Sequence, residues 1–167
     1  MQRPFDVRSW FAGPRRALTP YERALTPYER ALVALEAGEY GLALDECGTA
    51  LNQAVDDAAR ADALNKRGVA LIGLVRRDEA LMSFCEALEC AEKHAPALVN
   101  IGNLLLEDGN LEDAVDYYQA AMRADPAYPL AYRNLSVASK RLGRPGEAVR
   151  YLRVADRLEA RRRPGRA

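Results

Sequence analysis

A 34-residue period governs the chain. Leu64, Leu98 and Tyr132 stand one period apart, as do Gly68, Gly102 and Ser136, Ala80, Ala114 and Ala148, Phe84, Tyr118 and Leu152, and Ala87, Ala121 and Ala155. A recurring unit places the same packing demands at the same interval, so the period means stacked copies of one supersecondary element. Upstream, Ala31, Ala43, Cys47 and Ala50 precede Gly68, Ala80, Phe84 and Ala87 by 37 residues each, which adds a fourth unit and a three-residue insertion, placed in AVDDAAR (54–60).

The columns carry their own explanation. Gly or Ser in the first half of a unit and Ala in the second let two helix backbones approach closely, while Phe84, Tyr118 and Leu152 fill the space beside them. Apolar residues recur at intervals of three and four, and aromatic content is only 7% against 49% hydrophobic residues, so the expected class is all-α. Thr26-Pro27-Tyr28-Glu29 reads as a capping box with proline at the first helical position. The duplicated ALTPYERALTPYER (17–30) places a second such start at Thr19, and Pro27 limits the earlier helix to about two turns. Helices are expected near 27–37, 40–53, 58–73, 78–92, 96–107, 111–124, 129–142 and 146–161. Gly38, Gly109 and Gly143 fall where left-handed caps belong, and Val75 stands where the second unit should have its turn glycine.

The segment LVNIGNLLLEDGNLEDAVDYYQAAMRADP (98–126), with Gly102, Gly109, Ala114, Tyr118, Ala121 and the closing Asp125-Pro126, resembles the tetratricopeptide repeat (TPR) family, and the resemblance covers roughly residues 24–160. The chain departs from the pattern at Ala31, where a glycine is usual, at Val75, and in the last unit, which has no closing proline. The resemblance implies a right-handed superhelical solenoid of antiparallel helix pairs. Its four units would be 24–57, 58–94, 95–128 and 129–162, after a basic aromatic arm with a short helix (1–23) and before a basic tail (163–167).

Stacked pairs of this kind leave a concave groove lined by their first helices. The resemblance therefore implies a non-catalytic interaction scaffold or adaptor that binds an extended peptide or partner protein. The alternatives are a secretion-type chaperone for an aggregation-prone client, or a self-assembling scaffold. The groove-facing places fall on Tyr28, Leu32 and Leu35 in the first unit and on Asn65, Lys66, Val69 and Ile72 in the second. In the third they fall on Val99, Asn100, Asn103, Leu106 and Glu107, and in the fourth on Arg133, Asn134, Val137, Lys140 and Arg141.

Asn100 and Asn134 recur one unit apart with Asn103 a turn beyond the first. Carboxamides carry donors and acceptors, so such a row either holds the backbone of an extended peptide or simply tolerates a solvated helix face. The groove runs from apolar (Tyr28, Leu32, Leu35, Val69, Ile72) to cationic (Arg133, Lys140, Arg141), which points to a ligand with apolar anchors at one end and acidic groups at the other. The carboxylate clamp of chaperone-adaptor members is not reproduced at Val69 and Val99, which disfavours a chaperone C-terminus.

Other chemistry is excluded or disfavoured by what the chain lacks. There is no phosphate-cradling glycine loop or nucleophile elbow, and a single histidine, so no enzyme and no cofactor are expected. Cys85, Cys90 and His94 share one stretch of helix without the paired spacing of a zinc site, so no metal is expected and the three cysteines read as reduced thiols. No stretch approaches the length of a membrane span and no secretion signal is visible at the start, which places the protein in the cytoplasm.

The net charge of zero hides a segregation: residues 31–128 carry seven Lys or Arg against eighteen acids, while residues 129–167 carry eleven against three. The terminal arginines leave too small a phosphate footprint for nucleic acid but suit an acidic surface, a second copy included. Phe5, Trp10 and Phe11 in the N-terminal arm have no core of their own and suit docking on a neighbouring surface, so the arm or the last helix could join copies of the chain.

Overall fold

The computed structural model describes residues 17–162, so the aromatic residues of the N-terminal arm and the tail 163–167 lie outside the described residues. The elements are α1 (Pro20–Ala24), α2 (Pro27–Glu36), α3 (Tyr40–Gln53), α4 (Asp57–Gly73), α5 (Arg77–Cys90), α6 (Ala95–Glu107), α7 (Leu111–Ala124), α8 (Pro129–Arg141) and α9 (Pro145–Arg162). Among the described residues there is no strand, and no helix is long and apolar enough to cross a membrane.

Both halves of the duplication fold as helix starts. Thr19 and Thr26 accept the N–H of Glu22 and Glu29, and each glutamate reaches back to its threonine's N–H at 2.8 Å, two complete capping boxes in succession. The helix expected from residue 58 begins one residue earlier because the Asp56 carboxylate accepts the Ala59 N–H at 2.8 Å. The helix expected to reach 92 stops at Cys90, where Ala91 turns extended.

Helices α2 with α3, α4 with α5, α6 with α7, and α8 with α9 form antiparallel pairs that stack in order. Within pairs, the small columns do what spacing demands. A Cβ on Gly102 would lie 2.6 Å from Cε1 of Tyr118, and one on Gly68 would run into the Phe84 ring, so only glycine lets those rings close over the helix. In the last pair Ser136 occupies that place and uses its hydroxyl, donating to the Ala148 carbonyl at 2.7 Å. Between pairs, Phe84 packs with Ile101 and Leu104 of the next first helix, and Tyr118 with Leu135 and Ala138, so the core runs continuously across unit boundaries.

Each pair turns through the same cap. The residue two after the turn position's predecessor donates to a carbonyl five back: Glu39 to Ala34, Arg76 to Leu71, Asn110 to Leu105 and Arg144 to Ser139, all within 2.8–2.9 Å. Gly38, Gly109 and Gly143 take the positive φ this requires, and in the second pair Val75 takes it itself at φ 59°. The nearby Gly73 is not a substitute: it stays helical, and its missing Cβ makes room for the Tyr40 ring.

Candidate functional site

First helices approach one another, α2 against α4 and α6 against α8, whereas no two second helices pack as closely among the described residues. The side of tighter spacing is the inner curve of a stack, so α2, α4, α6 and α8 line its concave face.

A seam of amides runs along that face. The Asn100 amide donates to Oδ1 of Asn65 at 2.8 Å, joining α6 to α4, and the Asn134 amide donates to Oδ1 of Asn103 at 2.7 Å, joining α8 to α6. The Tyr118 hydroxyl, reaching from α7, donates to the same Asn103 oxygen at 2.9 Å. Asn65 is 2% exposed, an internal member of the seam, while Asn100, Asn103 and Asn134 are partly exposed. A carboxamide has two N–H donors and two acceptor sites. Asn103 has therefore filled its oxygen and keeps its amide, while Asn100 and Asn134 each keep a carbonyl oxygen and one N–H. By its column Tyr118 is expected only to fill the core. The signal for its second role was the hydroxyl it carries where Phe84 and Leu152 have none.

The charged residues divide. Arg133, its side chain 40% exposed, is engaged on its own pair: its guanidinium bonds Glu159 at 2.7 and 3.2 Å and Asp156 at 3.5 Å, both on α9. Asp156 takes the column held by Leu88 and Met122 in the preceding pairs, so Arg133 answers a charge where those pairs have apolar contact. Arg141 is exposed and donates to the Leu106 carbonyl at 2.9 Å, and Lys140 beside it is exposed with no ion pair among the described residues. Lys66 is half-buried on α4. Glu107 is held by Arg77, which also bonds Asp108 at 2.9 Å and the Leu104 carbonyl, a staple from the start of α5 to the end of α6.

The apolar members are graded in exposure. Val99 is buried, Leu32, Leu35, Val69 and Leu106 are half-buried, and Ile72 and Val137 are 41% and 45% exposed. Tyr28 is half-buried, and desolvation pushes its phenol up to about 12.

His94 acts as the N-cap of α6: its Nδ1 accepts the Ala97 N–H at 3.2 Å, and its Nε2 lies 3.1 Å from Asp62. Cys47 is buried, Cys90 half-buried and Cys85 exposed, and among the described residues no three His, Cys, Asp or Glu side chains converge as metal ligands would.

A family profile described as TPR repeat matches residues 102–143, the end of α6 through α8 that carries the Asn103 junction. Over that stretch the chain carries a tetratricopeptide repeat. This TPR chain is similar to the probable UDP-N-acetylglucosamine–peptide N-acetylglucosaminyltransferase SPINDLY of Hordeum vulgare, 34% identical over 87 residues, which is 52% of this chain and 9% of that protein. It is also similar to Protein NPGR1 of Arabidopsis thaliana, 29% identical over 57% of this chain and 14% of that protein. The TPR chain thus spans about a tenth of the length of these curated relatives.

Among solved structures, Pseudomonas aeruginosa pilF superposes with a TM-score of 0.69 at 25% identity over 79% of this chain and 59% of that one. A crystal structure of MamA superposes with 0.64 at 19% identity, over 81% and 78% of the two chains. YrrB, a TPR protein with an unusual peptide-binding site, superposes with 0.59 at 23% identity over 84% and 71%.

Proposed function

We propose that this TPR protein is a non-catalytic scaffold that holds an extended peptide, or an extended segment of a partner protein, against the concave face. The observation that carries the reading is the amide seam with valences to spare. Asn100 and Asn134 each retain a donor and an acceptor on the open side, the complement of a peptide group, and they sit one unit apart with the Asn103 amide between. Hydrogen bonds to a ligand's main chain give affinity without reading its sequence, so specificity falls to what flanks the seam. That is the apolar set Leu35, Val69 and Ile72 on one side and Val137, Lys140 and Arg141 on the other. The ligand class is a segment with aliphatic or aromatic anchors followed by an acidic group. Arg133, committed to Glu159 and Asp156, supports the last pair and leaves the ligand's acid to Lys140 and Arg141.

YrrB is a TPR protein with an unusual peptide-binding site, which supports a peptide on this fold. The transferase relatives match only over a region that this chain shares with about a tenth of them, so their chemistry is not carried over.

The test is selection from a displayed library of unstructured peptides, followed by calorimetric titration of a selected peptide into wild-type protein and an Asn100→Ala/Asn134→Ala variant. Loss of about tenfold or more in affinity at unchanged helical content is expected, since each hydrogen bond contributes roughly 0.5–1.5 kcal/mol. Peptides that bind the variant as tightly as the wild type would remove the seam from the ligand site.

A further inference from the structure

Beside the inserted residues between the first and second pairs lies a pocket of about 320 Å³, which of the groove-facing residues includes only Tyr28. Its walls are Pro27 and Tyr28 from the start of α2, Ala50 from α3, and Ala54 and Ala59 on either side of the inserted turn. Small side chains give it depth, and Val55, 91% exposed, stands at its lip. Asp62 lines it with a carboxylate whose side chain is 53% exposed. Asp56 and Asp57 begin α4 next to it, so the opening is acidic. At the low end of the size range of ligand pockets, about 300–1,000 Å³, it suits one or two side chains and not a folded domain.

We propose that this pocket takes Trp10 of the chain's own N-terminal segment, with Arg8 meeting Asp62. Residues 1–16 lie outside the described residues, and three features of their sequence and attachment point to this pocket. The first is charge: residues 1–16 carry four arginines against one aspartate, opposite to Asp62 in the lining and to Asp56 and Asp57 at the adjoining start of α4. The second is spacing, because Arg8 and Trp10 fall on the same side of an extended segment, so an indole in the apolar part puts a guanidinium beside the carboxylate.

The third is reach. Ala17 joins Thr26, which lines the pocket, through α1 and a few extended residues, at most about 24 Å. Seven extended residues from Ala17 back to Trp10 cover about 23 Å, and the length of the indole side chain makes up the remainder of that upper limit. Docking there shares Tyr28 with the first-unit edge of the groove but uses none of the seam amides Asn65, Asn100, Asn103 and Asn134.

Trp10 is the only tryptophan, so its fluorescence in the full chain reads the site directly. Docking predicts blue-shifted emission and severalfold weaker acrylamide quenching than for free N-acetyltryptophanamide. An Ala59→Phe variant, which fills the pocket, should restore strong quenching while circular dichroism stays helical. Asp62→Lys should do the same, and adding Arg8→Glu to it should recover protection. Quenching in the wild type equal to the free indole overturns the proposal, as does protection that persists when a folded Ala59→Phe protein is measured. Protection that disappears on dilution would assign the segment to a second copy's pocket and overturn docking within one chain.

Discussion

Val75 is the one residue among those described that holds a left-handed backbone without being glycine, and it is β-branched, the least suited kind of side chain for that region. Its side chain is 90% exposed, so it returns almost no burial for the strain. A left-handed L-residue costs roughly 1–2 kcal/mol, while glycine's extra freedom in the unfolded chain costs roughly 0.5–1 kcal/mol. Val75→Gly should therefore stabilise the protein by about 0.5–1 kcal/mol in urea unfolding. The sequence located this turn but not its resolution, because position alone cannot say whether Val75 or the neighbouring Gly73 bends; the Tyr40 ring against Gly73 decides it.

A second residue-scale outcome concerns alkaline pH. Burial raises the Cys47 thiol from 9.0 to about 11, and the Tyr28 phenol from 10.0 to about 12. Across those windows the unfolded chain gives up protons that the folded chain retains, so stability is fully present below pH 9 and falls as pH rises toward 11 and then 12. Urea midpoints taken through this range should decline, and Cys47→Ala should flatten the lower part of the decline.

At the scale of the element, one substitution should have opposite signs on two helices. Gly102 faces Tyr118, and a methyl there would have to push an aromatic ring that is fully buried. Overpacking costs about 1–3 kcal/mol, which exceeds the roughly 1 kcal/mol that alanine gains in helix propensity, so Gly102→Ala should destabilise. Gly48 in α3 has open space where its Cβ would be, so Gly48→Ala should stabilise by about 0.5–1 kcal/mol. Paired denaturant curves check both.

The columns at the 34-residue period made Gly102 legible, because Gly68 repeats it against Phe84. Helix ends were legible wherever local chemistry sets them, as at Thr19 and Thr26. They were less so at Asp57 and Cys90, where a cap accepted one residue further out or an extended residue after the helix moved the boundary. The site was legible by column but not by partner. Nothing in the order of residues says that Asn134 bonds Asn103 while Asn100 bonds Asn65, since that depends on how α4, α6 and α8 are staggered. The same holds for Arg133, whose turn toward α9 follows from Asp156 and Glu159, about three and four turns into another helix.

Across the whole molecule, charge and curvature meet at the end of α8. Lys140 and Arg141 are the exposed cations on the concave side there, while residues 31–128 carry an excess of acids. A Lys140→Glu/Arg141→Glu variant should lose severalfold affinity for a selected peptide that carries an acidic group. It should leave a neutral analogue unaffected and flatten the dependence of binding on salt. Equal losses for both peptides would mean the substitutions had altered the groove itself and not its charge.

The amide seam has a mechanical side. A stack of helix pairs deforms as a spring, and straightening it stretches the inner curve most. That is where Asn100 grips Asn65 and where Asn134 and Tyr118 both grip Asn103. Hydrogen bonds are short-ranged, losing most of their strength over a fraction of an ångström, so they resist the first increment of stretch and then let go together. A solenoid laced this way along its inside should yield abruptly under load, and a peptide bonded across the same amides should raise the force at which it opens.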